Sequence, residues 1–312
     1  MNRHPVTHTY VEDGKVVEEA LLATVPQAAP FRVTLMELGR FNVHRGGFDL
    51  GVIRDGHLGD LILMTAALRT VVETFKRIRL HVFCSERFIP VFDNCKFVTS
   101  TRSIEHDLDA TSLPLMIDLR GYVETHERTW ETCRPDLFAE AFGFEKAFAS
   151  TKIVVTKEDR QEARRWLKDA EWPKIIIGPD ASDPRREIDD SVYRPLLEMD
   201  NVLVVGHKRG AMPPIRVLFA LIEQADVVVS TDNAIYHIAG AVTPMTRSIP
   251  LFTTVPSYLR CRNHPLVTPL TSDVPCAPCS ERCKDGCEME CTSAFDVEEI
   301  ERMVTDAIRV QA

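Results

Sequence analysis

The chain of 312 residues contains no stretch close to the ~20 consecutive apolar residues that a membrane-spanning helix needs. Its first residues, MNRHPVTHTYVEDGK, include no apolar core of a secretory signal. These two absences predict a soluble protein of the cytoplasm, either free or held at the inner face of the membrane. Positive charge is also short: 37 Lys and Arg against 46 Asp and Glu give a formal net charge of -9, which argues against a surface built to coat nucleic acid. Neither the dinucleotide pattern Gly-x-Gly-x-x-Gly nor a phosphate loop ending in Gly-Lys-Ser/Thr occurs, so the two commonest glycine-rich nucleotide signatures are excluded. There is no repeat of solenoid period and no low-complexity tract. The nine cysteines are odd in number and have no signal peptide ahead of them, which favours thiols or a metal over a disulfide framework.

With 45% hydrophobic residues the chain can build two domains with separate cores. Residues 1–48 read as an N-terminal extension: VEDGKVVEEALL places a turn at Asp13-Gly14 between short runs, and FRVTLMELGRFNVHRGGF predicts a second pair of strands around Gly39. From Leu50 onward strands and helices alternate. Strands are predicted at 50–54, 79–85, 96–100 and 113–120. The first is followed by a helix whose apolar stripe is Leu61, Met64, Leu68, Val71 and Phe75. DLFAEAFGF reads as a further helix. After the charged helix KEDRQEARRWLKDAEW the pattern resumes, with strands at 174–179, 201–207, 226–231 and 248–254 and a helix at 215–225. Residues 49–170 and 171–312 are thus predicted to be two doubly wound α/β domains facing a cleft, with ligands at the carboxyl ends of the strands.

The most informative segment is ADVVVSTDNAIYHIAGAVTPMTRSIPLFTT, residues 225–254. It predicts a buried strand, a polar turn at Thr231-Asp232-Asn233, a helix carrying His237, and a strand ending in hydroxyl residues. A helix N-terminus attracts anions through its free N–H groups and its dipole, so the turn is a natural seat for a phosphate or diphosphate. The alternative is that Asp232 only caps the helix and His237 packs in a core.

Two more loops follow predicted strands. Asp55-Gly56-His57-Leu58-Gly59-Asp60 puts a carboxylate at a helix entrance, where Asp60 is either an N-cap or a general base for a hydroxyl. GPDASDPRREI contains Arg185 and Arg186, and His207-Lys208-Arg209 follows the next strand. Arginine clamps phosphate in a bidentate manner, although clusters of this kind also occur as solvated loop charge. Five cysteines, Cys276, Cys279, Cys283, Cys287 and Cys291, crowd near the C-terminus, and thiolates this close in sequence can hold a structural zinc or iron ion.

In four segments the chain resembles glycosyltransferase family 9, the bacterial heptosyltransferases: GDLILMTAALR, IIIGPDASDPRR, ALIEQADVVVSTDNAIYHIAGAV and PCAPCSERC with the later Cys291. The resemblance runs from about Leu50 to the C-terminus. It implies a GT-B architecture of two Rossmann-like domains and an inverting transfer of a heptose-like sugar that needs no metal. The donor would be an ADP-sugar and the acceptor a hydroxyl of a lipopolysaccharide core or another glycan. By motif position Asp60 becomes the general base. Gly59, Ser182, Arg185, Arg186, Lys208, Asp232, Asn233, Ala234 and His237 become donor-binding residues. The chain departs from the pattern at Asn233-Ala234, where the family has Ser/Thr-Gly, and at Ala66, where it has proline. Loss of glycine restricts how closely backbone can approach a phosphate. The extension at residues 1–48 leaves open a protein or a modified DNA base as acceptor. Asn233-Ala234 leaves open a nucleotide-sugar-binding protein without transfer activity. An epimerase of the same architecture is a further alternative. Oligomeric state has no signature in the sequence.

Overall fold

The computed structural model describes residues 6–12, 15–21, 47–108, 113, 115–168, 170–242, 246–262, 264, 266–279 and 287–311. Strands β1 (Val6–Glu12) and β2 (Lys15–Leu21) form an antiparallel pair in register from Val6↔Leu21 to Glu12↔Lys15. Asp13-Gly14 and the strand pair expected around Gly39 lie outside the described residues. The chain divides into two compact units, Met1–Ser150 and Thr151–Ala312.

The first unit is built on a parallel sheet of β3 (Phe48–Ile53), β4 (Ile78–Cys84), β5 (Ser100–Ser103) and β6 (Met116–Asp118), in the order β5-β4-β3-β6. The apolar run of β3 pairs Leu50 with Leu80 and Val52 with both Val82 and Ile117. Helix α1 (Leu58–Thr74) buries Leu61, Met64, Leu68 and Val71. It also buries Ile62, Leu63, Ala66 and Ala67, because α2 (Arg134–Ala141) packs against it. That second contact widens the apolar face beyond a single stripe. The segment expected to be a strand at 96–100 is instead a run of turns, in which Cys95 N–H bonds Phe92 O and Val98 N–H bonds Cys95 O. Pairing with β4 begins only at Ser100, opposite His81.

The second unit carries β7 (Ile175–Gly178), β8 (Val202–Val204), β9 (Val227–Thr231), β10 (Arg247–Phe252) and β11 (Leu270–Thr271), all parallel, in the order β11-β10-β9-β7-β8. Its helices are α3 (Lys157–Leu167), α4 (Asp190–Leu197), α5 (Ile215–Gln224), α6 (Ala234–Val242) and α7 (Val297–Gln311). On one face Ile175, Ile177, Val227, Val229, Ile249 and Leu251 pack against Val192, Tyr193 and Leu196 of α4 and Ile300, Val304 and Ala307 of α7. The alternate residues Ile176 and Val228 point to the other face. β7 and β9 are buried throughout, which is why their sequences are continuous apolar runs rather than alternating ones. Thr156 and Asp159 close a capping box on α3, and Asp159 and Arg160 tie it to Arg216 and Glu223 of α5.

Strand order fixes where each sheet can hold a ligand. In the first unit the sequence-first strand, β3, lies between β4 and β6. In the second, β7 lies between β8 and β9. Successive connections diverge at the β3/β6 and β7/β9 junctions, and crevices open there at the carboxyl ends.

Candidate functional site

At the β3/β6 junction, β3 ends at Ile53 and the next residue, Arg54, turns a side chain only 1% exposed across the crevice. Its guanidinium donates to Leu119 O at 2.8 Å, to both carboxylate oxygens of Glu124 at 3.0 and 2.6 Å, and to Asp60 Oδ2 at 3.2 Å. Arg134, at the start of α2, donates to the other Asp60 oxygen. The helix α1 begins at Leu58 with His57 as N-cap, so Asp60 is the third helical residue and not the cap. Its carboxylate, 4% exposed, sits between two guanidiniums. Burial opposes the charge on Arg54, but Glu124, Asp60 and Asp55 outweigh it and raise its pKa further. Burial alone would raise the Glu124 carboxyl as well; the hydrogen bonds and charge of Arg54 hold it below the usual carboxylate range instead. Gly59 sits in the first turn of α1, and Gly56 lies against the Arg54 guanidinium, where an added Cβ would come within 2.6 Å of Nε.

At the β7/β9 junction the polar turn Thr231-Asp232-Asn233 runs from β9 into α6. Asn233 is the helix cap: its Oδ1 accepts from Ile235 N–H at 2.8 Å. Its amide donates to Gly178 O at 2.8 Å and Asp180 O at 3.0 Å, bridging the crevice to the end of β7. Asp232, for which capping was one reading, instead accepts from Tyr236 OH at 3.1 Å and faces Arg186 at 3.4 Å. Burial, with the charge of Asp232 adding to it, pushes the Tyr236 phenol well above its ordinary value. Ala234 is the first residue of α6.

The basic residues divide into committed and open groups. Arg185 chelates Asp183, with contacts of 3.0 and 2.5 Å. Arg209 is held by Asp180, Asp190 and the carbonyls of Pro179 and Ile188. Lys208 pairs with Glu187 at 2.6 Å from an exposed position. Arg186 is held loosely. It reaches Ser182 Oγ at 3.0 Å and Asp232 at 3.4 Å, the outer limit of a hydrogen bond, and its buried Nε makes no hydrogen bond. The loop carrying both arginines is fixed to the strand ends, since Thr231 donates to Arg186 O and Thr253 to Arg185 O. The structure thus brings Ser182, Arg186, Asp232, Asn233 and Ala234 to one edge of the sheet.

His237 is buried one turn into α6. Its Nδ1 lies 3.0 Å from Nε2 of His264, and its ring stacks on Tyr236 with centroids 3.9 Å apart. Arg54, Glu124, Arg134, Tyr236 and His264 did not emerge from the sequence. Only Arg54 carried a signal, as a charge ending an apolar strand just before a ligand loop. Of the cysteines, Cys276 and Cys287 are exposed, Cys279 is half-buried and Cys291 is buried, while Cys283 lies outside the described residues. Among the described residues no three Cys, His, Asp or Glu side chains gather as a metal-ligand group, so the described cysteines as placed do not fit zinc or iron. Among the same residues, no helix is long and apolar enough to cross a membrane.

Two parallel sheets, each with charged side chains collected at its switch point, make the chain a doubly wound α/β protein. More particularly, it has the fold of glycosyltransferase family 9 structures. The family 9 glycosyltransferase of Veillonella parvula superposes with a TM-score of 0.61 at 12% identity, covering 85% of this chain and 98% of that one. The ADP-heptose lipopolysaccharide heptosyltransferase II of E. coli gives 0.61 at 11%, covering 85% and 99%. The iron-containing dodecameric glycosyltransferase TibC of enterotoxigenic E. coli gives 0.63 at 11%, covering 84% and 78%. No family model and no curated protein sequence matches the chain.

Proposed function

We propose that the protein is an inverting GT-B glycosyltransferase that moves a heptose-like sugar from an ADP-sugar to a hydroxyl of a lipopolysaccharide core or other glycan. The observation that carries this is the loosely held Arg186 guanidinium beside Asp232 and the start of α6. A cation with a buried N–H to spare, fixed to a sheet edge, suits a diphosphate that gains charge as it leaves. Arg186, Ser182 and the first turn of α6 hold the diphosphate, with Asp232 and His237 on the sugar side. Arg185 and Lys208 act from the edge of the same loop cluster. Asp60 takes the proton of the acceptor hydroxyl as its oxygen bonds to the anomeric carbon. The bond from that carbon to the diphosphate breaks, and ADP departs with the electron pair. The likeness to the ADP-heptose enzyme supports ADP as the nucleotide. The net charge of -9 argues against DNA as the acceptor, and the reading uses no metal at the cysteines.

A panel of ADP-, UDP-, GDP- and TDP-sugars, followed by thermal shift and by mass spectrometry of glycan acceptors, tests the reading. Stabilisation by ADP-sugars and a sugar-sized mass gain on an acceptor are expected. Asp60→Asn should keep donor binding and lose transfer; undiminished turnover in that variant would overturn the role of Asp60. A second reading, a nucleotide-sugar-binding protein without transfer, is favoured by the Asn233 side chain across the β7/β9 crevice and by the double pairing of Asp60. Donor binding with no transfer to any acceptor would select it.

A further inference from the structure

We propose that Arg54 and Glu124 are a positioning pair for Asp60, in which Glu124 draws part of the Arg54 guanidinium away from Asp60 and so sets how readily Asp60 takes a proton. The inference rests on the reading of Asp60 as the general base. Arg54 is fixed from every side. Its Nη1 donates to Leu119 O at the end of β6, both terminal nitrogens engage Glu124, and the guanidinium carbon lies 5.5 Å from the Phe138 ring centroid of α2. Gly56 closes the remaining side, since any larger residue would press on Nε at 2.6 Å. The guanidinium therefore cannot follow Asp60 if that carboxylate moves.

The distances rank the two contacts. Arg54 Nη2 is 2.6 Å from Glu124 Oε1 and 3.2 Å from Asp60 Oδ2, so the same nitrogen serves the half-exposed carboxylate more tightly than the buried one. Arg54 from the end of β3 and Arg134 from α2 both face Asp60. Glu124 lies behind Arg54, and Asp55 acts on Arg54 from the loop. Arg120, the next arginine along the β6 end, is chelated by Asp118 at 2.9 and 2.5 Å. Asp60, while ionised, offsets part of the charge of Arg54 and Arg134. Once Asp60 holds a proton that offset is lost, and Glu124 still compensates the Arg54 charge. A carboxylate locked by two unshared guanidiniums would be too weak a base at neutral pH.

Carbon-detected NMR titration of the Asp60 carboxyl tests this without any need for turnover. Glu124→Gln removes the tightest competitor of Asp60 for the Arg54 charge, and the midpoint should fall by about one pH unit. Arg54→Met should raise the midpoint by a similar amount. Opposite shifts are the signature of a shared guanidinium; an unchanged midpoint in Glu124→Gln, or shifts of the same sign, would overturn the proposal. If Arg54→Met does not fold, Glu124→Gln alone decides, because that side chain is 45% exposed and its amide still fits. In transfer assays the acidic limb of the pH profile should move with the NMR midpoint. A moved midpoint with a fixed limb would reject Asp60 as the base while leaving the positioning pair in place.

Discussion

The Asn233 amide donates across the β7/β9 junction to the carbonyl of Gly178 at 2.8 Å, so one side chain caps α6 and ties two central strands together at the candidate donor edge. Asn233→Ala should remove the cap and leave the Gly178 and Asp180 carbonyls without their donor. The expected loss is about 2–3 kcal/mol, from a cap worth ~1 and the remainder from the abandoned carbonyls. Urea unfolding measures it. A loss below about 0.5 kcal/mol would mean that the bridge contributes little and that the departure from Ser/Thr-Gly has no structural weight.

Arg185 and Arg186 are adjacent in sequence but have different partners, so their substitutions should separate. Arg186→Gln is expected to weaken ADP binding at least about tenfold, because it removes a loosely held guanidinium with a buried, unbonded N–H at the end of the second sheet. Stability should change little, since its contacts to Asp232 are long and the Ser182 contact is exposed. Arg185→Gln frees the Asp183 carboxylate at the loop and should weaken binding less. Calorimetric titration with ADP checks both; equal losses would place both arginines on the ligand.

Much of this was legible in the sequence, for identifiable reasons. IIIG and VVVST are apolar runs too short for helices, so the strands and the loops after them could be placed without coordinates. Asp60, Arg186 and Asp232 stood out as candidates because each closely follows a predicted strand. Glu124, Arg134 and His264 did not, because each reaches its partner from an element distant in sequence: Glu124 is 70 residues from Arg54, and Arg134 is 74 from Asp60. Local pattern also failed at the helix cap. Asp232 and Asn233 are both good N-caps, and which one serves depends on where β9 releases the chain. The strand expected at 96–100 failed for a related reason, since Phe97 and Val98 are apolar but close a turn beside Cys95.

His264 makes stability pH-dependent. Burial lowers its imidazole from 6.5 to about 4, so between those values the unfolded chain binds a proton that the folded protein does not. Stability is then full above about pH 6.5, falls as pH drops towards 4 and levels off below it, with a total change of about 3 kcal/mol. The Asp49 and Glu105 carboxyls are both held down to about 2, Asp49 first by Arg79 and Glu105 first by Ser103, so their losses come at lower pH. Urea unfolding at pH 7.5 and 4.5 should show the difference, and His264→Asn should shrink it. An equal difference in both proteins would remove His264 as its source.

Gly240 gives the sharpest packing test. It lies inside α6, where alanine would normally stabilise a helix by about 1 kcal/mol. Here a Cβ would sit 1.5 Å from Nδ1 of His264 and 2.4 Å from its Cγ and Cε1. That ring is 5% exposed, and its Nε2 is fixed 3.0 Å from His237, so it has nowhere to withdraw. Overpacking should win, and Gly240→Ala is expected to cost about 3 kcal/mol or more in denaturant unfolding. The double variant Gly240→Ala with His264→Ala should recover a large part of that loss, because the new methyl then fills the space left by the imidazole. Two outcomes would refute the contact: Gly240→Ala as stable as the parent protein, or a double variant showing only the sum of the single effects.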